Sequence, residues 1–146
     1  MCIRDSEITD ETIQQLCTGS QVFFCCLGTT RKAAGSAEAF HHIDCDIPVK
    51  FARAAKTVGV SHYSIVTSQG AKANSFFLYM RTKGEVEQAI CELEFPYTSI
   101  FRPGLLDRGD TTRFLEKVSL FLFKGMPVGT VAQAMAIDHL LSLIHI

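Results

Sequence analysis

The chain has 146 residues, of which 47% are hydrophobic and 20% are charged, and its formal net charge at pH 7 is −1. This length suits one domain that buries its own apolar core. The small net charge offers no electrostatic attraction for nucleic acid, and no apolar run approaches the roughly 20 residues that span a membrane. We therefore predict a globular protein whose partners include neither nucleic acid nor a membrane.

The two ends of the chain differ in character from the rest. Residues 1–6 and 141–146 resemble peptides that arise when sequencing adapters are translated in metagenomic assemblies. We expect both segments to be non-native, with native helix ends as the alternative, and we base the fold on residues 7–140.

Strand and helix patterns alternate along the chain, and apolar runs without polar alternation are typical of strands buried on both faces of a parallel sheet. The predicted elements are helix 10–16, strand 22–27, helix 44–58, strand 62–67, a helix that carries Tyr79 and Lys83 to residue 94, and strand 96–101. Thr9 or Asp10 would cap the first helix. The βαβαβ order predicts an α/β fold with a doubly wound parallel sheet.

Short polar or glycine-containing segments follow each predicted strand. They are Gly-Thr-Thr at 28–30, Ser68 with Gln69 and Gly70, and Arg-Pro-Gly at 102–104. Ligands of doubly wound folds bind beyond the carboxyl ends of the strands. We therefore expect these segments to meet at one ligand site.

Tyr79 and Lys83 stand four residues apart, which places both on one face of a helix. An ammonium beside a phenol favours the phenolate form. Such a tyrosine can exchange a proton with a carbonyl or alcohol oxygen, while the hydroxyl of Ser68 holds the same oxygen. This chemistry is typical of hydride transfer to a carbonyl, which requires a nicotinamide cofactor.

Tyr79 also has a purely structural interpretation. Val86 and Ile90 lie in nearly the same direction around the helix, so Tyr79 could belong to a buried apolar stripe. Lys83 lies near the middle of that face, where its charge needs a partner or must extend to solvent. Because Tyr-x-x-x-Lys is common by chance, the local pattern leaves both interpretations open.

Residues 22–106 resemble the atypical short-chain dehydrogenase/reductase superfamily, and more narrowly the Tat-interacting oxidoreductase family and its bacterial relatives. The matching motifs are Phe-Cys-Cys-Leu-Gly-Thr-Thr-Arg at 24–31, Ser-Gln-Gly-Ala at 68–71, Phe-Leu-Tyr-x-x-x-Lys-Gly-Glu-Val-Glu at 77–87 and Phe-Arg-Pro-Gly at 101–104. The resemblance implies an NAD(P)-dependent oxidoreductase that acts on a small carbonyl or alcohol substrate.

The resemblance also implies individual roles. It assigns Ser68, Tyr79 and Lys83 to catalysis, and Lys83 also to the nicotinamide ribose. It implies NADP rather than NAD as the cofactor. The residues expected to pass or touch the cofactor are Leu27, Gly28, Thr29, Pro103, Gly104 and Leu105.

The chain departs from the family at its start. No Gly-x-Gly-x-x-Gly or Gly-x-x-Gly-x-x-Gly stands in the sequence, and this motif normally binds the pyrophosphate at a helix N-terminus. We therefore expect the C-terminal half of a Rossmann-type doubly wound sheet, truncated and inactive alone. Residues 131–135 resemble the family's late helix.

Two other functions remain open. One is an NADP-sensing regulatory or interaction protein with little turnover and an unknown protein partner, which the resemblance allows. The other is a nucleotide-sugar epimerase, which uses the same three catalytic residues. The Ser68, Tyr79 and Lys83 set favours the oxidoreductase, because a binding module needs no such set.

The six cysteines form no C-x-x-C pair, so the sequence favours neither a zinc site nor a thioredoxin-like motif. Cys25 and Cys26 are expected to be small buried hydrophobes on opposite faces of the sheet. Free thiols indicate a reducing compartment, and we predict a cytoplasmic location.

Three charged or polar groups have two interpretations each. The His-His-x-Asp-x-Asp run at 41–46 could bind a metal, but adjacent histidines on a helix diverge by about 100°, so we expect a solvated helix entry and no metal site. Arg31 and Lys32 could meet a cofactor phosphate or lie in a solvated loop. Arg102 could serve the ligand or anchor a strand end.

Overall fold

The computed structural model describes residues 9–107 and 125–144. The helices are α1 (Asp10–Cys17), α2 (Arg31–Ala34), α3 (Ala37–His41), α4 (Ile47–Thr57), α5 (Leu78–Cys91) and α6 (Val128–Ile144), and the π-helical segment His42–Asp46 joins α3 to α4. The strands are β1 (Val22–Cys25), β2 (His62–Val66), β3 (Tyr97–Phe101), β4 (Leu106–Asp107) and β5 (Met126–Pro127).

The central sheet is parallel, with strand order β1-β2-β3. In its register, His62 lies between Val22 of β1 and Tyr97 of β3. A separate parallel pair joins β4 to β5. The predicted α/β fold with a parallel sheet is confirmed.

One face of the sheet is apolar and packs against α1, α4 and α5. Phe23 of β1 stacks on Tyr63 of β2 with ring centroids 5.3 Å apart, and the Tyr63 hydroxyl donates to the Pro48 carbonyl at 3.1 Å. The remaining core side chains on this face include Ile13, Cys17, Cys25, Val49, Ala52, Ile65, Val86 and Ile90. This burial is the main stabilising contribution of the sheet.

The other face of the sheet carries α6 and is held by polar contacts. The buried His62 side chain lies with Nε2 2.9 Å from Ser99 Oγ, and Ser99 donates to Asp138 of α6 at 2.5 Å. His139 of α6 packs edge-on against Phe24 at 6.0 Å. Helices therefore cover both faces of the sheet, as a doubly wound fold requires.

We expect the His62 cluster to make stability depend on pH. Burial lowers the pKa of the His62 imidazole; Asp138 opposes this shift and His139 adds to it. Because the folded pKa lies below the unfolded value of about 6.5, this contribution is fully present above that pH and is lost as the pH falls through the folded pKa. The hydroxyls of Ser99 and Ser142 and the ring of Tyr97 also lie against the imidazole.

Urea unfolding between about pH 8 and about pH 5 tests this expectation. The wild-type free energy of unfolding should fall on acidification, and the fall should be shallower for His62→Asn. The exposed His42 provides the matched control, His42→Asn, whose profile should follow the wild type. Parallel profiles for wild type and His62→Asn would contradict the assignment.

The helical run before β2 starts earlier than the sequence predicts. It begins at α3, where Ser36 Oγ accepts from the Ala39 amide at 3.0 Å, rather than near residue 44. Within the run, the Ile47 amide donates to the His42 carbonyl, which is the five-residue spacing of a π turn. Pro48 follows directly and lacks an N–H for a regular helical bond.

The other elements agree with the sequence within a few residues. Helix α1 has Thr9 as its N-cap, as predicted, with the Thr12 amide donating to its hydroxyl at 3.2 Å. The late helix is longer than the predicted 131–135, and α6 continues through residues 141–144. Residues 1–6 lie outside the described ranges, so the non-native character of the two ends stays a prediction.

No helix in the described part is long and apolar enough to cross a membrane.

Gly84 of α5 lets the loop after β2 cross the helix at close range. A Cβ at this position would lie 2.1 Å from the amide nitrogen of Ala73 and 2.2 Å from the carbonyl carbon of Lys72. Both are backbone atoms, which no side-chain rotation can move away. The loop is tied to α5 there by the Lys72 amide, which donates to the Met80 carbonyl at 3.0 Å.

We therefore expect Gly84→Ala to lower the free energy of unfolding by about 1–3 kcal/mol, as overpacking does. Alanine's better helix propensity offsets about 1 kcal/mol of the strain at most. Gly129→Ala in α6 is the matched control, since a Cβ there meets nothing within 4 Å. Equal stability of the Gly84→Ala and Gly129→Ala variants in urea unfolding would contradict the close approach.

Candidate functional site

Two adjoining clefts open at the carboxyl ends of β1, β2 and β3. The first, of about 400 Å³, is lined by residues 26–29, Asp44, Val66, Thr67, Tyr79, Lys83, Leu106 and four residues of α6. The second, of about 460 Å³, is lined by Thr29, Thr30, Ser68, Gln69, Tyr79, Met80 and residues 104–106. Tyr79, Thr29 and Leu106 line both, so the clefts adjoin where the predicted site lies.

Ser68 is placed by a continuation of the parallel ladder beyond β2. The Thr67 amide donates to the Phe101 carbonyl at 2.8 Å, and the Gln69 amide donates to the Pro103 carbonyl at 2.9 Å. These bonds fix Ser68 beside the segment that follows β3. Its half-buried hydroxyl donates to the Gln69 carbonyl at 3.3 Å.

Tyr79 lies in the first turn of α5 and is 41% exposed, in contrast to a core side chain. Its ring packs against the buried Phe40, with centroids 5.9 Å apart. Val86 and Ile90, the other members of the predicted stripe, are buried in the core. The structural interpretation therefore holds for the later turns of α5, while Tyr79 opens onto the clefts.

Lys83 is buried and paired. Its Nζ lies 2.6 Å from Asp44 Oδ1, and the two side chains are only 6% and 0% exposed. The other oxygen of Asp44 accepts from the Thr29 amide at 2.8 Å. The alternative in which Lys83 extends to solvent is wrong, because a carboxylate compensates its charge inside the protein.

The π-helical segment and Gly28 bring these groups together. Asp44 is the third residue of that segment, and Gly28 passes so close that a Cβ would lie 3.3 Å from Asp44 Oδ1 and 3.5 Å from Lys83 Nζ. Only a small residue fits there without pressing on the ion pair. The loop after β1, the segment before α4 and the helix α5 thus converge on one buried charge pair.

Asp44 is the residue of the candidate site that sequence reasoning missed. The sequence of residues 41–46 predicts a solvated helix entry. This prediction is wrong for Asp44, which is only 1% exposed. The available signal was Lys83, whose position on an apolar face required a partner of opposite charge. Nothing in the sequence says which of the acidic residues supplies it.

The remaining predicted cofactor residues divide between the clefts. Leu27 and Gly28 line the first cleft, whereas Gly104 and Leu105 line the second. Pro103 is buried and lines neither, since it faces a separate pocket next to α6.

Arg102 anchors the end of β3 to α5. Its Nε and Nη2 donate to the two carboxylate oxygens of the buried Glu87 at 3.0 and 2.6 Å, and this bidentate bonding raises the pKa of the Arg102 guanidinium. Thr67 donates to the same carboxylate. Of the two interpretations of Arg102, the structure favours the anchor.

Arg31 and Lys32 are exposed in α2, and their role stays open.

The adjacent cysteines differ in environment. Cys25 is buried in the core, as predicted, and burial raises the pKa of its thiol. Cys26 is exposed and lines the first cleft, so its predicted burial is wrong. The reason is that β1 ends at Cys25, so Cys26 lies just beyond the strand and faces the cleft. All the cysteines in the described ranges are free thiols.

A parallel sheet with helices on both faces and clefts at the carboxyl ends of its strands defines a Rossmann-type α/β protein. Triphenylmethane reductase from Citrobacter sp. has a similar fold, with a TM-score of 0.50 at 19% identity over 65% of this chain and 30% of that chain. A crystal structure of that reductase complexed with NADP(H) gives a TM-score of 0.47 at 20% identity, with the same coverage.

Curated relatives extend the comparison to sequence. The chain is 49% identical to Protein HTATIP2 of Rattus norvegicus over 88 residues, which are 60% of this chain and 36% of the relative. It is 47% identical over 102 residues to the mitochondrial Protein FMP52 of Lodderomyces elongisporus, covering 70% of this chain and 43% of the relative. Mitochondrial FMP52-1 of Scheffersomyces stipitis is 40% identical over 123 residues, covering 83% of this chain and 54% of the relative. No family model matches the chain.

These similarities confirm the resemblance to the Tat-interacting oxidoreductase-like proteins. The chain spans between 36% and 54% of the length of these relatives.

The predicted cytoplasmic location is wrong in view of these relatives. Several FMP52 proteins are named mitochondrial, including those of Lodderomyces elongisporus and Candida albicans. Free thiols indicate a reducing environment but do not distinguish one reducing compartment from another.

Proposed function

We propose that the whole protein, at the length of its relatives, is an NAD(P)-dependent oxidoreductase that acts on a carbonyl or alcohol substrate. The observation that carries this proposal is the arrangement of Tyr79, Lys83 and residues 27–29 around one cleft, with Ser68 in the adjoining cleft. Both clefts lie at the carboxyl ends of a parallel sheet, where this fold binds its ligands.

The residues of the first cleft fit the nicotinamide half of a dinucleotide. Its volume of about 400 Å³ lies within the range of small-molecule sites. Gly28 leaves open the space that a side chain would fill, next to the buried Lys83 ammonium. When bound, the nicotinamide supplies or accepts the hydride. We expect NADP rather than NAD from the family resemblance, and the similarly folded triphenylmethane reductase has been crystallised with NADP(H).

Three side chains would share the chemistry. Ser68 would donate a hydrogen bond to the substrate oxygen and hold it beside Tyr79. The Tyr79 hydroxyl would pass its proton to that oxygen during reduction and recover it during oxidation. Lys83 lines the same cleft as Tyr79 and would bring a positive charge to the reacting atoms and bind the nicotinamide ribose. An ammonium has three N–H donors that can reach the ribose hydroxyls, while its charge is paired with Asp44.

Asp44 would act as a positioning residue for Lys83. Its carboxylate fixes the ammonium at 2.6 Å and is itself held by the Thr29 amide of the loop after β1. A lysine anchored in this way loses little side-chain freedom when cofactor binds. The ion pair also supports a charged Lys83 in a buried position.

NADPH consumption by the whole protein with a panel of aldehydes and ketones tests the proposal. Carbonyl-dependent oxidation of NADPH, with one alcohol formed per NADPH, is the expected result. NADPH binding without consumption would instead indicate the sensing or interaction protein. Product formation without net NADPH consumption, with a nucleotide sugar as substrate, would indicate an epimerase. Either of these results would overturn the oxidoreductase proposal.

We expect the 146-residue chain on its own to bind NADPH weakly and to be inactive. Its sequence contains no glycine-rich loop, and the helix N-terminus after that loop supplies much of the pyrophosphate binding in this fold. Titration calorimetry of the chain with NADPH measures this directly. A dissociation constant in the low micromolar range would contradict the expectation.

A further inference from the structure

Side chains with metal-binding atoms gather where α3 passes into the π-helical segment. Donor atoms of His41, Cys45 and Asp46 all lie within 4.8 Å of one another. We propose that these three residues form a binding site for a transition-metal dication, with Zn²⁺ as the best match. The proposal departs from the sequence prediction of no metal site, and it is independent of the proposed oxidoreductase activity.

The distances suit a tetrahedral ion. His41 Nδ1 lies 3.3 Å from Asp46 Oδ1. Bonds of about 2.0–2.2 Å from zinc to nitrogen and oxygen place two tetrahedral ligand atoms roughly 3.4 Å apart. The histidine and the carboxylate are therefore already spaced as two zinc ligands, and the Cys45 sulfur lies within 4.8 Å of both.

The π turn explains why these residues converge. In a regular α-helix, residues five positions apart point about 140° away from each other. The π turn, with the Ile47 amide bonded to the His42 carbonyl, widens the turn and brings Asp46 back over His41. The sequence argument against a metal site was that His41 and His42 point in different directions. That argument does not apply to this site, because His42 is not one of the three ligands.

The supporting contacts are those of a metal site. A ligating histidine usually donates its other ring N–H to a carboxylate, which fixes its orientation and tautomer. His41 Nε2 lies 3.1 Å from Glu85 Oε2 of α5, and this contact leaves Nδ1 for the ion. The second oxygen of Asp46 contacts His42 Nδ1 at 3.2 Å. Both exposed ligands are thus held by neighbours before any ion binds.

The chemistry of the set selects the metal. One nitrogen, one sulfur and one carboxylate oxygen form a mixed donor set of the kind that zinc accepts. Cys45 is buried, whereas His41 and Asp46 have side chains 40% and 53% exposed. Access from solvent therefore leaves a fourth position for water. Binding would displace the thiol proton, so the ion meets a thiolate.

Titration of the full chain with Co²⁺, followed by displacement with Zn²⁺, tests the site. The expected result is one Co²⁺ per chain, with a thiolate-to-cobalt charge-transfer band that Zn²⁺ abolishes. Cys45→Ser should remove this band, and His41→Gln should weaken Zn²⁺ binding by at least about 10-fold. Glu85→Gln should weaken it by about 10–100-fold while keeping the band. Cys91→Ser is the matched control, since Cys91 is an exposed thiol outside the cluster, and it should change neither.

The test remains decisive if the buried Cys45 variant fails to fold. His41 lies at the surface, so His41→Gln should retain the far-ultraviolet circular dichroism of the wild type. An absent charge-transfer band, a band lost in Cys91→Ser, or equal Zn²⁺ affinity of wild type and His41→Gln would each overturn the proposal. In those cases His41, Asp46 and Glu85 form only a surface ion-pair network.

Discussion

Replacing Tyr79 by phenylalanine is expected to lower carbonyl turnover of the whole protein by about 10²–10⁴-fold, the range that general acid–base catalysis contributes. The variant keeps the ring and its packing against Phe40, 5.9 Å away between centroids, and removes only the hydroxyl. NADPH binding should persist, because Lys83 and residues 27–29 are unchanged. The measurement is kcat together with the NADPH dissociation constant.

Tyr97→Phe provides the control for this experiment. Tyr97 begins β3 on the side of α6 and lines neither cleft, so loss of its hydroxyl should leave kcat unchanged. Near-normal turnover in Tyr79→Phe would mean that the tyrosine only packs against Phe40. Equal loss of turnover in both variants would point to general destabilisation instead of a proton transfer.

Removal of Asp44 is expected to have the largest effect on stability. Asp44→Ala leaves the Lys83 ammonium buried without a counter-charge and the Thr29 amide without its acceptor. Breaking a buried pair from one side costs about 3–5 kcal/mol. Lys83→Met should also be destabilising, because it leaves the Asp44 carboxylate buried without a positive partner.

The double variant Asp44→Leu with Lys83→Met should recover most of the loss, since apolar replacement of a whole buried pair is often nearly neutral. Urea unfolding of the wild type, both single variants and the double variant gives the coupling free energy. Arg81→Ala is the control, because Arg81 lies 4.0 Å from Glu85 in an exposed pair and should cost less than about 1 kcal/mol. Additive losses in the double variant would contradict a coupled buried pair.

The sequence predicted the parallel sheet well because its strands are short apolar runs closed by turn residues. Tyr63 and Ile65 are buried in the middle strand, as continuous apolarity indicates. The placement of Ser68 and Tyr79 at the clefts followed from the rule that strand ends meet at one edge. That rule needs only the order of the elements, which local patterns specify.

The parts that the sequence did not predict depend on tertiary contacts. The π turn has no composition of its own, yet it directs Asp44 inward to Lys83 and gathers His41 with Asp46 on the outside. Cys26 belongs to an apolar run that predicts burial, but the strand ends at Cys25 and Cys26 faces the cleft. Such features arise from the packing of distant segments, which local periodicity does not encode.

A crystal structure of the whole protein with NADP⁺ tests the central claim most directly. We predict that the nicotinamide ribose lies in the first cleft, with a ribose hydroxyl within hydrogen-bond distance of Lys83 Nζ and the Tyr79 hydroxyl facing the nicotinamide ring. Lys83 should keep its contact with Asp44 in that complex. A cofactor bound away from this cleft, with neither Lys83 nor Tyr79 in contact with it, would contradict the proposed active site.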